Sequence, residues 1–175
     1  RIQRHVRYGG KLLGICGGYQ MLGDSVDDPQ GVEEVAGIEF GLGLLPLTTV
    51  MSQEKALENS VGVIRGTTTK VSGYEIHCGI THTKGISSFA ELADGRSDGV
   101  ISDDGMIIGT YLHGLFDTAD AANWILNWAG LEKPEAVCMA ENREYQLNRL
   151  ADTLEEHLDF TQLGYALNHS IGRNA

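Results

Sequence analysis

Basic residues are scarce in this chain. Thirteen Lys and Arg stand against twenty-four Asp and Glu over 175 residues, a formal net charge of −11. A field of that sign repels phosphate backbones and anionic bilayers, which excludes nucleic acid and membrane surfaces as expected partners. Cysteine is sparse as well: Cys16, Cys78 and Cys138 are odd in number and widely spaced, with no C-x-x-C pair. Neither a disulfide framework nor a zinc ribbon follows, so no metal is expected and a reducing cytoplasm fits best. There is no run of about eighteen apolar residues to span a bilayer. The opening Arg1-Ile2-Gln3-Arg4-His5 lacks the apolar stretch of a signal peptide. Internal repeats, low-complexity segments and linkers are missing too. So is an initiator Met, and the chain reads as one partial domain, 1–175, of something longer.

What is present suits a packed globule, since 42% of the residues are hydrophobic and the length falls within one domain's range. Lys11 to Cys16 forms a short apolar run ending at glycines, and Tyr19 to Gly23 reads as a helical turn. Gly, Asp and Pro from Asp24 to Gly43 predict loop, and a strand-like pattern resumes over Leu44 to Val50. Further short strands are expected at Val61 to Ile64, Gly73 to His77 and Ile107 to Leu112. Ala121, Ala122, Ile125 and Trp128 fall at helical spacing over 119–129, with Asp117 or Thr118 as a cap. Leu147, Leu150, Leu154 and Leu158 give a second helix with a narrow stripe for core or partner packing. Strands interleaved with helices predict an α/β fold: an open, three-layer sheet with a parallel centre.

The chemistry concentrates in Gly14-Ile15-Cys16-Gly17-Gly18-Tyr19-Gln20. A strand-to-helix turn flanked by glycines displays a nucleophile at a sheet end, the small neighbours relieving crowding. The amide after Cys16 can face an oxyanion, and a helix N-terminus favours a thiolate. His113, followed by Gly114 at another strand end, can take the thiol proton and return it to a leaving amine. A lone cysteine in an apolar run is more often a small buried hydrophobe, and any one of six histidines is more often structural. The glycine context is what separates Cys16 from that background. A metal site from Cys16, His77, Cys78, His82 and His113 has no pair at ligand spacing.

Three ordered blocks, Gly14 to Gly23, Gly73-Tyr74-Glu75-Ile76-His77-Cys78-Gly79 and Gly109-Thr110-Tyr111-Leu112-His113-Gly114-Leu115-Phe116, resemble the glutamine amidotransferase domain of cobyric acid synthases. Asp28-Pro29, Gly31-Val32-Glu33 and Gly41 to Leu45 are similar to the same pattern, and the likeness extends into Leu147 to Leu158. The resemblance implies a class I glutamine amidotransferase-like (flavodoxin-like) fold, here N-terminally truncated. It implies that Cys16 attacks the side-chain amide of glutamine to form a thioester, with His113 as acid and base. Gln20 would help hold glutamine, Gly17 N–H would form part of the oxyanion hole, and Glu75 would serve the substrate side or orient a catalytic group. Bracing of a strand end is an equal alternative for Glu75 and His77.

No cofactor is implied for this domain. ATP and Mg are implied for a synthetase domain of the same polypeptide, which takes the ammonia and amidates adenosylcobyrinic acid a,c-diamide. Many related amidotransferases carry a Glu two residues after the His; here that position is Leu115, as in the cobalamin branch of the family. The family's upstream strands and second oxyanion loop precede the region matching Arg1, so the isolated chain is expected to be incomplete and inactive or weakly active. Nearby alternatives are the amidotransferase partner of a lipid II-amidating enzyme and cobyrinic acid a,c-diamide synthase. A more distant one is a non-catalytic module that docks a partner through its leucine stripe.

Overall fold

The computed structural model describes residues 1–136 and 138–159. The chain divides into two compact units, 1–136 and 137–175.

In the first unit the helix α1 (Ile2–Arg7) leads into strand β1 (Leu12–Ile15), which is followed after one residue by helix α2 (Gly17–Met21). Strand β1 runs parallel to β9 (Ile107–Thr110), from Leu12 opposite Ile107 to Ile15 opposite Thr110. The short β8 (Val100–Ile101) pairs antiparallel on the other side of β9. Successive residues of a strand face opposite ways, and this small sheet uses both faces. Leu13, Ile108 and Ile101 pack with Ile125 of α3 (Ala119–Ala129). Leu12, Ile107 and Val100 pack instead with Tyr19 and Leu22. Helix, sheet and helix make the three layers expected, and β1 with β9 is the parallel centre.

A second, six-stranded sheet is mostly antiparallel. Its strands β2 (Ser25–Asp28), β3 (Gly37–Phe40), β4 (Leu47–Ile64), β6 (Ala90–Leu92) and β7 (Ser97–Asp98) follow the order β3-β2-β4-β6-β7. Strand β5 (Lys70–Thr83) lies along β4, with an irregularity between Met51 and Ala56. The loop expected over Asp24 to Gly43 is therefore wrong at two places. Ser25–Asp28 is held between β3 and β4, and cross-strand pairing overrides the low strand preference of its two aspartates.

The helical turn expected at Tyr19 to Gly23 begins earlier, immediately after Cys16. Helix α3 buries Ala121, Ala122 and Ile125, as the spacing predicted, and Gly130 closes it at φ 111°. Thr118 occupies the cap position but makes no side-chain cap bond, and its hydroxyl is buried without a partner.

In the second unit, helix α4 (Met139–His157) matches the helix expected there. Its leucines are not core: Leu147, Leu150, Leu154 and Leu158 are each more than 40% exposed. No helix among the described residues is long and apolar enough to cross a membrane.

Candidate active site

Cys16 stands alone between β1 and α2 with φ 54° and ψ −114°, the one non-glycine residue among those described with a positive φ. A left-handed φ costs a side-chain-bearing residue of order 1–3 kcal/mol, and such strain persists only where the surroundings over-determine it. Two contacts do so here. The Cys16 N–H donates to Thr110 O at 2.9 Å, extending the β1–β9 ladder by one step. Helix α2 then folds back so closely that a Cβ on Gly14 would lie 2.7 Å from Gly18 O and from Leu22 Cδ1. The crowding argument thus holds for Gly14 but not for its companions. Gly17 and Gly18 are exposed, with nothing within 4 Å of where a Cβ would stand. They leave open space beside the thiol, and their amides head a helix, where N–H groups lack intrahelical acceptors.

The thiol donates toward Ile76 O at 3.6 Å. His113 reaches the same stretch of β5 by its backbone: Tyr74 N–H donates to His113 O at 3.1 Å, and His113 N–H donates to Tyr74 O at 2.8 Å. The two residues singled out by sequence are thus brought to positions 74 and 76 of one strand. The bridge is tight enough that a Cβ on Gly73 would fall 1.7 Å from His113 O. The His113 imidazole stacks on the Tyr74 ring, centroids 5.0 Å apart and planes 6° from parallel. Its Nε2 is buried without a hydrogen-bond partner. The thiol's acceptor in this arrangement is the Ile76 carbonyl and not the ring.

Gln20 donates its Nε2–H to the Tyr111 hydroxyl at 3.2 Å. That hydroxyl continues to Thr81 Oγ1 at 2.6 Å, and from there the chain runs to Thr49 Oγ1 at 2.8 Å. Glu75 is buried, and its carboxylate is engaged away from Cys16 and His113. Ser60 Oγ–H donates to it at 2.6 Å, Arg96 donates at 3.3 and 3.4 Å, and His77 Nε2 lies 3.6 Å away. His77 packs flat on Tyr111 at 3.7 Å and pairs through Nδ1 with Gly79 O at 2.8 Å.

Glu75 and Asp98 line a cavity of about 210 Å³ with Tyr19, Thr81, Ser97 and Tyr111. Asp98 accepts from Thr110 Oγ1 and from Tyr111 N–H, the latter at 3.0 Å. Burial is the main reason its carboxyl sits above the usual carboxylate range. Burial likewise raises the Tyr19 and Tyr111 phenols. Arg96, Asp98 and the stacking role of Tyr74 were missed in the sequence, where Asp94-Gly95-Arg96-Ser97-Asp98 reads as a polar turn. Among the described residues no three His, Cys, Asp or Glu side chains converge as a metal would require.

A cysteine on a strained strand-to-helix turn and a histidine held against the same neighbouring strand lie within the stretch that shows the chain's class. Residues 1–121 match the CobB/CobQ-like glutamine amidotransferase domain, and the chain belongs to that family. It is 47% identical over 188 aligned positions to the cobyric acid synthase of Shewanella oneidensis, an alignment that takes in 98% of this chain and 37% of that protein. The chain therefore spans little more than a third of that relative. Among solved structures, PurLQS from Thermotoga maritima is similar at a TM-score of 0.47 and 16% identity, covering 64% of this chain and 54% of that one.

Proposed function

We propose that this chain is the glutaminase part of a cobyric acid synthase, and that Cys16 and His113 carry the reaction. The observation that bears most weight is the strained backbone of Cys16, the one side-chain-bearing residue with positive φ among those described. Structures retain such strain chiefly where it displays a reactive group. Support for the pathway comes from the identity to the Shewanella protein, which favours cobyric acid synthase over the lipid II and cobyrinic acid alternatives.

In this reading His113 takes the thiol proton and Cys16 Sγ attacks the side-chain carbonyl carbon of glutamine. The oxygen of the tetrahedral adduct gathers charge beside the Gly17 amide. As the C–N bond breaks, His113 gives its proton to the leaving nitrogen, and ammonia departs from a glutamyl thioester. Water then attacks the thioester, His113 takes a proton from it, and glutamate leaves as the thiol is restored. Gln20, steadied by Tyr111, fixes the entering substrate. Glu75 supports the site from behind through Arg96 and His77. The ammonia passes to an ATP-dependent synthetase that amidates adenosylcobyrinic acid a,c-diamide. ATP and Mg belong to that acceptor, and no step of glutamine hydrolysis uses them.

The test is covalent labelling of the chain together with its synthetase. 6-Diazo-5-oxonorleucine is expected to add to Cys16, and Cys16→Ala to abolish the adduct. His113→Ala is expected to slow glutamine hydrolysis by about 10² or more. An intact, folded protein that neither labels nor hydrolyses glutamine refutes the reading.

A further inference from the structure

An imidazole that must accept and return a proton needs a fixed ring plane, and hydrogen bonding to its second nitrogen is the common means. The position two residues beyond His113 is Leu115, which is 1% exposed and packed in the apolar core. It offers no such acceptor. The carboxylate of Glu75, the residue after Tyr74 in β5, is engaged by Ser60 and Arg96, and His113 Nε2 is buried without a partner. What does meet His113 is Tyr74. The rings lie 5.0 Å apart and within 6° of parallel, inside the range of offset stacking. The backbones of the same two residues exchange both of their hydrogen bonds. Gly73 and Gly114 permit this approach, the first because a side chain there would strike His113 O, the second because its φ is 83°.

From this geometry we infer that Tyr74 is the positioning residue for His113, setting the imidazole plane by ring stacking in place of a carboxylate. The inference rests on the glutaminase reading and supplies its missing orienting group. Stacking constrains the plane of the ring and leaves its nitrogens free for the proton, which suits a group that serves first as base and then as acid. An aromatic face also favours the imidazolium formed when the thiol proton arrives. The phenolic hydroxyl has no part in this, so the ring alone should suffice.

The experiment compares Tyr74→Leu, Tyr74→Val and Tyr74→Phe with the parent, each as the chain together with its synthetase. Tyr74→Leu should lower kcat for glutamine hydrolysis by roughly tenfold to a hundredfold, the scale of an ångström of misplacement. KM should stay within about twofold, since only proton transfer is disturbed. Tyr74→Phe should restore the rate. Tyr74→Val, β-branched and suited to a strand, replaces Leu if that variant does not fold. A second readout needs no Tyr74 variant: the His113 imidazole proton signals, assigned by their loss in His113→Ala, should lie upfield in the parent because the two rings are stacked. A parent without that upfield shift, a leucine or valine variant with the parent's kcat, or a phenylalanine variant as slow as leucine overturns the inference while the glutaminase reading stands. A parent that hydrolyses no glutamine is the separate result that overturns both.

Discussion

Gly73→Ala tests how closely the proposed role of His113 depends on its backbone clasp. The added methyl would stand 1.7 Å from His113 O and 2.9 Å from its carbonyl carbon. Real Cβ atoms essentially never approach within 3.0 Å, so β5 and the His113 segment must part by roughly 1.3 Å. Both bonds of the bridge, at 2.8 and 3.1 Å, would then be stretched or lost. At about 1 kcal/mol net each, that removes about 2 kcal/mol of stability. The same displacement carries His113 away from the thiol, and an ångström of misplacement costs about 10² in rate. Gly62→Ala serves as the matched control. Its methyl would fall 2.3 Å from Glu91 O, in the pairing of β4 with β6, where no proposed catalytic group sits. Urea titrations should show both variants destabilised, whereas glutamine turnover per folded molecule should collapse in Gly73→Ala and stay within about twofold in Gly62→Ala. Gly73→Ala hydrolysing glutamine within about threefold of the parent, or Gly62→Ala slowing it equally, would refute the reasoning.

Gly17→Ala should separate stability from activity in the opposite way. Nothing lies within 4 Å of its Cβ position, so the denaturation midpoint should hold or rise, Ala being favoured over Gly in a helix by about 1 kcal/mol. Glutamine hydrolysis should nonetheless fall by roughly tenfold, because the methyl would intrude where the substrate amide must lie. Asp98→Asn probes the buried acid through pH. A carboxyl raised on folding holds its proton more tightly in the native state, so its contribution is fully present below the unfolded value of about 3.9 and is lost as pH rises through the folded value. Asp28, Asp94 and Asp104 are shifted the other way and stabilise on the alkaline side. The difference between parent and Asp98→Asn in melting temperature should therefore widen from acid to neutral pH, with the variant favoured at neutrality. A constant difference would show that folding leaves the Asp98 carboxyl's proton affinity unchanged.

The strand-to-helix turn at Cys16 was legible in the sequence because its requirements are local: an apolar run, a residue on a sharp bend and a glycine to let the helix fold back. Helix 119–129 was legible for the same reason, its apolar spacing being a short-range signal. What escaped depends on partners distant in the chain. Ser25–Asp28 is a strand because β3 and β4 flank it, not because its residues prefer one. Strand β4 continues through the polar Gln53-Glu54-Lys55 because β5 accompanies it on either side of the irregularity. The pairing of Tyr74 with His113 joins residues thirty-nine positions apart, and no periodicity announces it. The glycine pair after Cys16 departs from expectation in a different way: it relieves no crowding, and of the three glycines around Cys16 only Gly14 meets any.

Cys16 is strung on the ladder of the small sheet, while the carbonyl its thiol faces and the ring beneath His113 both belong to the large one. The site is thus a seam, and it exists only while the two sheets are in register. Among the bonds that cross that seam are those of the Tyr74 and His113 amides, each of which is freed to exchange with solvent when the seam opens. Their protection against deuterium exchange is consequently a gauge of how many molecules are competent at any moment, readable without substrate and without a single turnover.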